Sequence, residues 1–398
     1  MNFNRRKFLQ TSGLASAAMM LPRFLKAKEA DPTVSGNKIL VIVQLTGGND
    51  GLNTVVPFEN DIYYNSRPKL AIPKSGVLKL NDDLGLNPSL QGFRELFDKG
   101  NFCLINNVGY PEPDRSHFRS MDIWQTASNS NEYLTTGWIG RVLDEKCKGC
   151  DKPTYALELD DSLSLVLKGE QSKGLALKDP KRLYGTTIDP FFSELNKLHK
   201  EEHDHDQASY LYKTLAETIS SADYIYQNSK IFKSNKTYPD HNLGKQLKTI
   251  AELIISGIDT QVYYVSHGSF DTHVNQTDKQ NNLLKQLSES VKVFCDDLQQ
   301  NGRSQDVLLM TFSEFGRRLE ENASGGTDHG TANQVFMIGN QLKKPGVFNE
   351  APDLADLDEG DLKYSMDFRR VYSTLLEHWL NTDAQKVLNG IYKPLEFI

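Results

Sequence analysis

Short, continuous apolar runs alternate with longer amphipathic segments along this chain. The apolar runs are rich in Val, Ile and aromatic residues, as in buried strands, and they read KILVIVQL (38–45), NFCLINNVG (101–109), TYALEL (154–159), TQVYYVSHG (260–268), DVLLMTFSEFG (306–316) and NQVFMIG (333–339). The segments between them with helical spacing read PSLQGFRELFDKG (88–100), QASYLYKTLAETISSADYIYQ (207–227) and LLKQLSESVKVFCDDLQQNG (283–302). Strands that alternate with helices predict an α/β fold with a central sheet and crossover helices.

Composition narrows the classes of partner. The chain has 398 residues, 24% of them charged, and a net charge of -7 that is spread along its length. It has no basic stripe with interleaved aromatic residues, so a nucleic acid is not expected as a partner. Small molecules or glycans fit better. The polar region from about 168 to 242 is predicted to be a helical insertion on the sheet, so residues 31–398 form a single domain.

The N-terminus has the features of an export signal. Paired Arg5 and Arg6 precede an apolar run, Leu14 to Leu21, that is too short to span a bilayer. The RRxFL pattern and the modest hydrophobicity of this run favour the twin-arginine route over a general secretory signal. We therefore predict a twin-arginine signal peptide at residues 1–30, with the twin-arginine translocase as its partner. The mature chain is expected to be periplasmic or secreted, without a stable membrane span.

Polar side chains follow several of the predicted strands. Open α/β sheets place their ligands at the carboxyl ends of the strands, and the candidate metal ligands found there are Asp50, Asp271, His273, Glu314, Asp328 and His329. Carboxylates and imidazoles together suit a hard or borderline divalent metal. For Asp50, in the turn TGGNDGLN, the alternative is a structural Asp that caps the turn.

A second candidate feature is the stretch GYPEPDRSHFRSMDIWQTA after the second apolar run. A helix is predicted from His117 to about Thr126, with Ser116 at its start. The Ser116 hydroxyl either caps that helix or acts as a nucleophile at its positive end. Arg115 and Arg119 are candidates for binding an anionic group, and His117 is either a ligand or simply a polar residue.

These motifs together resemble a known family. GGNDGLN, DRSHF, FDTH, SEFGR and GTDHG, in this order behind a twin-arginine signal, are similar to the domain-of-unknown-function 1501 family, which is placed in the alkaline phosphatase and sulfatase superfamily. The resemblance runs over nearly the whole mature chain and includes the C-terminal DFRRVYSTLLEHWL. It implies an alkaline-phosphatase-like sandwich, with a mostly parallel sheet and helices on both faces.

The resemblance also implies a chemistry. Ser116 corresponds to the superfamily nucleophile, and the metal ligands correspond to Asp50, Asp271, His273, Glu314 and His329. Such sites hold one or two divalent ions, with zinc expected first and manganese, calcium or magnesium as alternatives. The implied function is an exported, metal-dependent hydrolase of phosphate or sulfate esters, acting on a small-molecule or glycan ester. The alternative is a catalytically inactive superfamily member that serves as a periplasmic or cell-surface binding or assembly factor.

Two departures from the superfamily pattern qualify this expectation. The superfamily's Asp-His pair is replaced by SEFG around Glu314, so one imidazole is missing, and His117 and Asp328 are the candidates to replace it. Pro111 stands where the sulfatase activation motif needs Cys or Ser. Formylglycine therefore cannot form there, and a standard sulfatase is disfavoured.

Overall fold

Residues 38–146, 153–190 and 206–398 are described by a computed structural model of the chain. The predicted signal peptide, residues 1–30, lies outside the described residues, so the twin-arginine route stays a prediction. Lys38–Ile398 forms one compact unit. None of the helices described for this unit is long and apolar enough to cross a membrane.

The predicted strands and helices are present. Strands β1 to β16 comprise Ile39–Leu45, Val55–Val56, Leu78–Lys79, Gly85–Leu86, Phe102–Gly109, Ala156–Glu158, Leu175–Ala176, Val262–His267, Val307–Phe312, Arg317–Glu321, Thr327–His329, Asn333–Ile338, Gly346–Val347, Leu357–Asp358, Asp361–Leu362 and Met366–Asp367. Helices α1 to α11 comprise Gly51–Thr54, Asp61–Ser66, Gln91–Asp98, His117–Thr126, Trp138–Lys146, Pro180–Thr187, Asp206–Asn228, Asn242–Ile255, Gln276–Gln300, Phe368–Thr374 and Ala384–Leu388. A π-helical turn, Leu375–Trp379, extends α10.

The described residues form a nine-stranded central sheet. Its order is β13-β5-β12-β9-β1-β8-β6-β7, with β16 also paired to β5. Strand β1 lies between β8 and β9 and is parallel to both, whereas β12 is antiparallel to β5 and to β9. The start of β12 therefore lies at the same edge as the carboxyl ends of β1, β8 and β9. This edge brings together loops that are more than two hundred residues apart in sequence.

Helices cover both faces of the sheet. Successive side chains of a strand point to opposite faces, and β1 contributes Leu40 and Ile42 to one core cluster and Val41 and Val43 to the other. The first cluster contains the buried faces of α5 and α10. The second contains those of α3, α8 and α9. The predicted α/β class, with a mostly parallel sheet and helices on both faces, is confirmed.

The region predicted to be an insertion contains more than helices. Its described part includes α6 and α7, but Leu175–Ala176 also forms the edge strand β7, parallel to β6. Residues 191–205 lie outside the description. The prediction of a helical insertion over 168–242 therefore stays a prediction for those residues.

Candidate metal centre

The loop after β1 is held tightly against the loops after β8 and β9. Gly47 has a φ of 115°, and a Cβ added there would lie 2.4 Å from the backbone nitrogen of Asp271. Its own amide donates to Oε1 of Glu314 at 2.7 Å. Only glycine tolerates this combination of positive φ and close backbone approach. The glycine-rich turn after β1 thus sets the spacing between the loops that carry the site.

Three imidazoles at this edge each contact an oxygen through Nδ1. His117 Nδ1 lies 2.9 Å from Oε1 of Glu314, and His329 Nδ1 lies 2.9 Å from the Arg115 carbonyl. His273 Nδ1 lies 3.3 Å from Oδ1 of Asp328. An oxygen acceptor at Nδ1 assigns the ring proton to that nitrogen and leaves a lone pair on Nε2. Metal-binding histidines are oriented in this way by carboxylates and backbone carbonyls.

The opposite nitrogens converge with the carboxylate of Asp271. Nε2 of His273 lies 2.9 Å from Nε2 of His329, and Oδ1 of Asp271 lies 3.1 Å from the first and 3.3 Å from the second. A tetrahedral zinc ion with bonds of about 2.0–2.1 Å requires ligand atoms about 3.3 Å apart. The three atoms therefore have nearly the separations of one face of a zinc site.

His117 completes the cluster. Ligand atoms of His117, Asp271 and His329 all lie within 4.8 Å of one another. Nε2 of His117 is buried and has no hydrogen-bond partner among the described residues. A buried polar atom without a partner is unfavourable, and a cation beside Asp271 would satisfy it. These three residues offer two nitrogens and one carboxylate to one divalent ion, with Nε2 of His273 beside His329 and Asp271, and imidazole donors favour zinc over magnesium or calcium.

Arg317 is the buried cation of the site. Its guanidinium donates to Oδ1 of Asp271 at 2.7 Å and to the backbone carbonyls of Gly48 at 2.6 Å and Thr327 at 2.9 Å. One of its nitrogens also lies 3.5 Å from Nε2 of His273. Arg317 therefore connects the loop after β1, the loop after β8 and strand β11, and it orients Asp271. Its charge also competes with a metal ion for the same carboxylate oxygen.

The local environment shifts the pKa of three of these groups. The hydrogen bond to Glu314 raises the pKa of His117, although burial opposes it. Burial lowers the pKa of His329, which favours the neutral imidazole that a metal ligand needs. Partial burial raises the pKa of Asp271, but Arg317 and the two neighbouring imidazoles outweigh it, and the net shift is downward.

The turn between β10 and β11 delivers His329 to the cluster. A Cβ added to Gly326 would lie 2.3 Å from the backbone of His273, so this turn packs directly on the loop after β8. Within it, the side chain of Asn322 accepts from the amides of Ser324 and Gly326. The stretch ASGGTDHG is therefore one wall of the site, with its glycines allowing the approach.

The structure places Asp50 outside this cluster. Its Oδ1 accepts from the amides of Leu52 and Asn53, and its Oδ2 accepts from Arg67 at 2.6 Å and from the amide of Gln276. Arg67 and Asp50 both have fully buried side chains. Because every oxygen of Asp50 is occupied by a protein donor, the alternative of a structural cap describes it better than a metal ligand.

Glu314 and Asp328 contact the imidazoles from the side opposite the converging Nε2 atoms. Each contacts an imidazole Nδ1, so each orients a histidine rather than facing the point where the Nε2 atoms converge. Glu314 is fully buried. Both carboxylates lie at this edge, in contact with imidazoles, and their geometry is that of outer partners, so their predicted role as metal ligands stays a prediction.

Ser116 lies at the rim of the site, where helix α4 begins. Its hydroxyl makes no capping hydrogen bond to the helix, and its amide donates to Oδ1 of Asp114 at 2.6 Å. Its two neighbours in sequence, Arg115 and His117, both contact the cluster. The side chain is exposed, so it is accessible to a ligand.

The two predicted anion-binding arginines have other contacts. The guanidinium of Arg115 binds the buried carboxylate of Asp361, with its Nε 2.7 Å from Oδ2. Arg119 is buried, and it donates to the carbonyls of Asn129, Ser130 and Glu132. The structure therefore brings Arg115 to the rim through its carbonyl and leaves Arg119 outside the cluster.

Sequence reasoning passed over Arg317 and Asp361. Arg317 follows the predicted strand in SEFGR, yet nothing in the local sequence distinguishes it from Arg318 beside it. The alternation of side chains along β10, which buries Arg317 and leaves Arg318 half-buried, is the signal that could have found it. Asp361 lies in a polar stretch without periodicity, and only its contacts identify it.

The model of a family described as "Protein of unknown function (DUF1501)" matches residues 37–390. No sequence among the curated proteins matches this chain.

A comparison with solved structures finds chains with low similarity to this one. The chain is similar to PsFucS1 sulfatase from Pseudoalteromonas sp., with 11% identity, a TM-score of 0.39 and coverage of 93% of this chain and 72% of that chain. The phosphonate monoester hydrolase SpPMH from Silicibacter pomeroyi has 8% identity and a TM-score of 0.42, with coverage of 91% of this chain and 76% of that chain. A protein in the alkaline phosphatase superfamily from Vibrio parahaemolyticus has 12% identity and a TM-score of 0.38, with coverage of 81% of this chain and 67% of that chain. At these values the neighbours carry no inference about the chemistry of this chain, which comes from its own side chains.

Proposed function

The chain belongs to the DUF1501 family, and from the geometry of its site we propose that it is an exported, metal-dependent hydrolase of phosphate or sulfate esters. The observation that carries this proposal is the arrangement of the imidazoles. Three rings are held through Nδ1. Their Nε2 atoms face Asp271, and the Nε2 of His117 is buried without a hydrogen-bond partner among the described residues.

The residues that would hold the ion are His117, His273, His329 and Asp271. When bound, such an ion polarises a phosphoryl or sulfuryl oxygen and lowers the pKa of a nearby hydroxyl. Glu314, Asp328 and the carbonyl of Arg115 keep the rings oriented. Zinc suits this donor set best, and one ion is expected because Asp50 is engaged elsewhere.

Ser116 is the proposed nucleophile. It precedes a ten-residue helix, whose N-terminus carries a partial positive charge that favours an anionic group. In the proposed step, the Ser116 oxygen forms a bond to phosphorus or sulfur as the bond to the ester oxygen breaks. The Ser116 proton passes to solvent water, and the departing alkoxide takes a proton from solvent water and leaves as the alcohol. Water then hydrolyses the serine ester, releases phosphate or sulfate and restores the hydroxyl.

One contact favours the alternative function. Arg317 donates to the Asp271 oxygen that also faces two imidazoles, so a guanidinium occupies part of the coordination space. If the Arg317–Asp271 ion pair takes the place of the metal, the site lacks the ion that turnover requires. It would then bind a ligand without hydrolysing it. The alternative is therefore a catalytically inactive binding or assembly factor of the periplasm or cell surface.

Metal content and turnover together test the proposal. The exported protein, purified without chelator, is expected to contain about one equivalent of zinc, and His329→Ala and Asp271→Asn should each remove it. The matched control is His378→Ala, since His378 is exposed on the C-terminal helical turn away from the cluster.

Turnover is measured with 4-nitrophenyl phosphate and 4-nitrophenyl sulfate. Ser116→Ala should abolish turnover and keep the metal, because Ser116 is not a ligand. A metal-free wild type, or a metal-loaded protein whose activity is unchanged in Ser116→Ala, contradicts the proposed hydrolase. A metal-free and inactive wild type would instead favour the binding factor.

A further inference from the structure

Two exposed aromatic rings, Phe118 and Tyr133, lie on or against helix α4, which begins just after Ser116. Phe118 lies in the first turn of α4, directly after His117, and is 86% exposed, while Tyr133 is 77% exposed. Among the aromatic side chains whose burial the structure describes, these two are the most exposed. A large ring left in water forgoes the favourable burial of its apolar surface, so two of them beside one site point to a ligand.

Tyr133 is held in its exposed position. The guanidinium of Arg119 lies over its ring, with Cζ 4.0 Å from the centroid. Arg119 is itself fixed by the carbonyls of Asn129, Ser130 and Glu132. One face of the ring is thus covered by a buried cation, and the ring is ordered before any ligand arrives. Pre-organisation of this kind lowers the entropy lost on binding.

A third exposed ring, that of Tyr364, lies against the loop that precedes Ser116. Tyr364 lines a small cavity together with Pro113, Asp114 and Phe315. The Phe315 ring packs on His117 and His329, with centroids 4.8 and 4.6 Å apart. Phe315 therefore lies between this cavity and the imidazoles.

We propose that these rings, which we call the aromatic rim (Phe118, Tyr133 and Tyr364), bind the sugar ring of a glycan ester. The inference rests on the proposed function and names its substrate class. A sugar presents an apolar face of C–H groups, which packs on the face of an aromatic ring, and an edge of hydroxyls that seeks acceptors. The rings offer a packing surface to the first, and Asp114, which lines the same cavity as Tyr364, offers a carboxylate to the second.

Other ligands fit this surface less well. A lipid or an apolar peptide needs a continuous apolar patch, whereas the carboxylate of Asp114 lies beside Tyr364. A densely sulfated polymer would be repelled by the same carboxylate. The chemistry therefore favours a sparingly charged glycan that carries the reacting phosphate or sulfate on an otherwise neutral sugar.

The test uses a ligand that cannot react. Unesterified tetrasaccharides of glucose, galactose, mannose and N-acetylglucosamine are titrated into the full chain, with binding followed by saturation-transfer NMR and calorimetry. The double variant Phe118→Ser, Tyr133→Ser should weaken binding of at least one of them by about tenfold or more, as expected for two lost ring contacts. The matched control is Ile231→Ser, which removes a 68% exposed apolar side chain from another part of the surface.

A second measurement separates this inference from the hydrolase. Methyl phosphate and methyl sulfate lack a sugar, so wild type and double variant should hydrolyse them with the same KM. For a sugar phosphate or sugar sulfate, the KM of the double variant should be higher than that of the wild type. Comparison of the two anions identifies which ester is the substrate.

The outcomes separate the two proposals. The glycan inference is overturned if no tetrasaccharide binds the wild type, or if the double variant binds as well as the wild type does. Tetrasaccharide binding that depends on the rim, in a protein without metal or turnover, would sustain the glycan inference and reject the hydrolase. Turnover of methyl esters without any glycan binding would sustain the hydrolase and reject the glycan inference.

Discussion

The Nε2 atoms of His273 and His329 lie 2.9 Å apart. Both rings contact an oxygen through Nδ1, so both Nε2 atoms present lone pairs. Two lone pairs repel each other at this distance unless a proton or a metal cation lies between them. The pair is therefore a place where the fold itself favours a bound cation.

Zinc is expected to stabilise the fold through this pair. A ligand that binds only the native state adds about 2.7 kcal/mol to the free energy of unfolding when its concentration is about 100 times its Kd. Thermal unfolding of metal-stripped protein, with and without zinc, measures this gain, which His273→Ala should remove and His378→Ala should not. Equal stabilisation of His273→Ala would place the ion elsewhere.

Glu314→Gln should weaken metal binding while keeping the fold. Loss of an outer partner of a metal-binding histidine lowers affinity by about 10–100-fold, and glutamine has nearly the same shape as glutamate. Competition with a fluorescent zinc chelator gives the Kd. Glu320→Gln, on the exposed face of β10, serves as the control. An unchanged Kd in Glu314→Gln would show that its contact with His117 is dispensable.

Asp50→Ala is expected to affect stability and spare the metal. The change leaves the buried guanidinium of Arg67 without its carboxylate, and breaking a buried ion pair typically costs about 3–5 kcal/mol. Urea unfolding measures the free energy, and metal content is determined on the folded fraction. Full stability with loss of the ion would instead support the sequence prediction that Asp50 is a ligand.

Glu158 should make stability decrease as pH rises. This residue is almost fully buried at the end of β6, and burial raises its pKa from 4.5 to about 7. The folded state therefore binds more protons than the unfolded state between these values, so the free energy of unfolding decreases as pH rises from 4.5 to 7. The contribution amounts to about 3 kcal/mol, because one pKa unit corresponds to about 1.4 kcal/mol.

Glu158→Gln removes this titration. The variant can still accept from the Ser164 amide, which now donates to Oε2 of Glu158 at 2.6 Å. We expect the variant to be more stable than wild type at pH 8 and similar to it at pH 4.5. Melting temperatures across this range test the slope, and parallel curves for the two proteins would refute the assignment to Glu158.

The sequence alone determined the class of fold and the edge of the sheet that carries the site. Continuous apolar runs require burial on both faces, so their alternation with amphipathic helices is enough to predict β1, β5, β8, β9 and β12. The helix predicted from His117 to about Thr126 also has those bounds in the structure. Because parallel strands share a carboxyl edge, the sequence places Asp271, His273 and His329 at one edge of the sheet, where their side chains are in contact.

Only the tertiary structure decided which atoms face the common point. Asp50 is turned away because Arg67 and Gln276, from two separate helical regions, take its carboxylate. His117 enters the cluster because Glu314, almost two hundred residues later, holds its Nδ1. Sequence order specifies which residues end a strand. The direction of a polar side chain there depends on hydrogen-bond partners brought together from distant segments, and these partners exist only once the chain has folded.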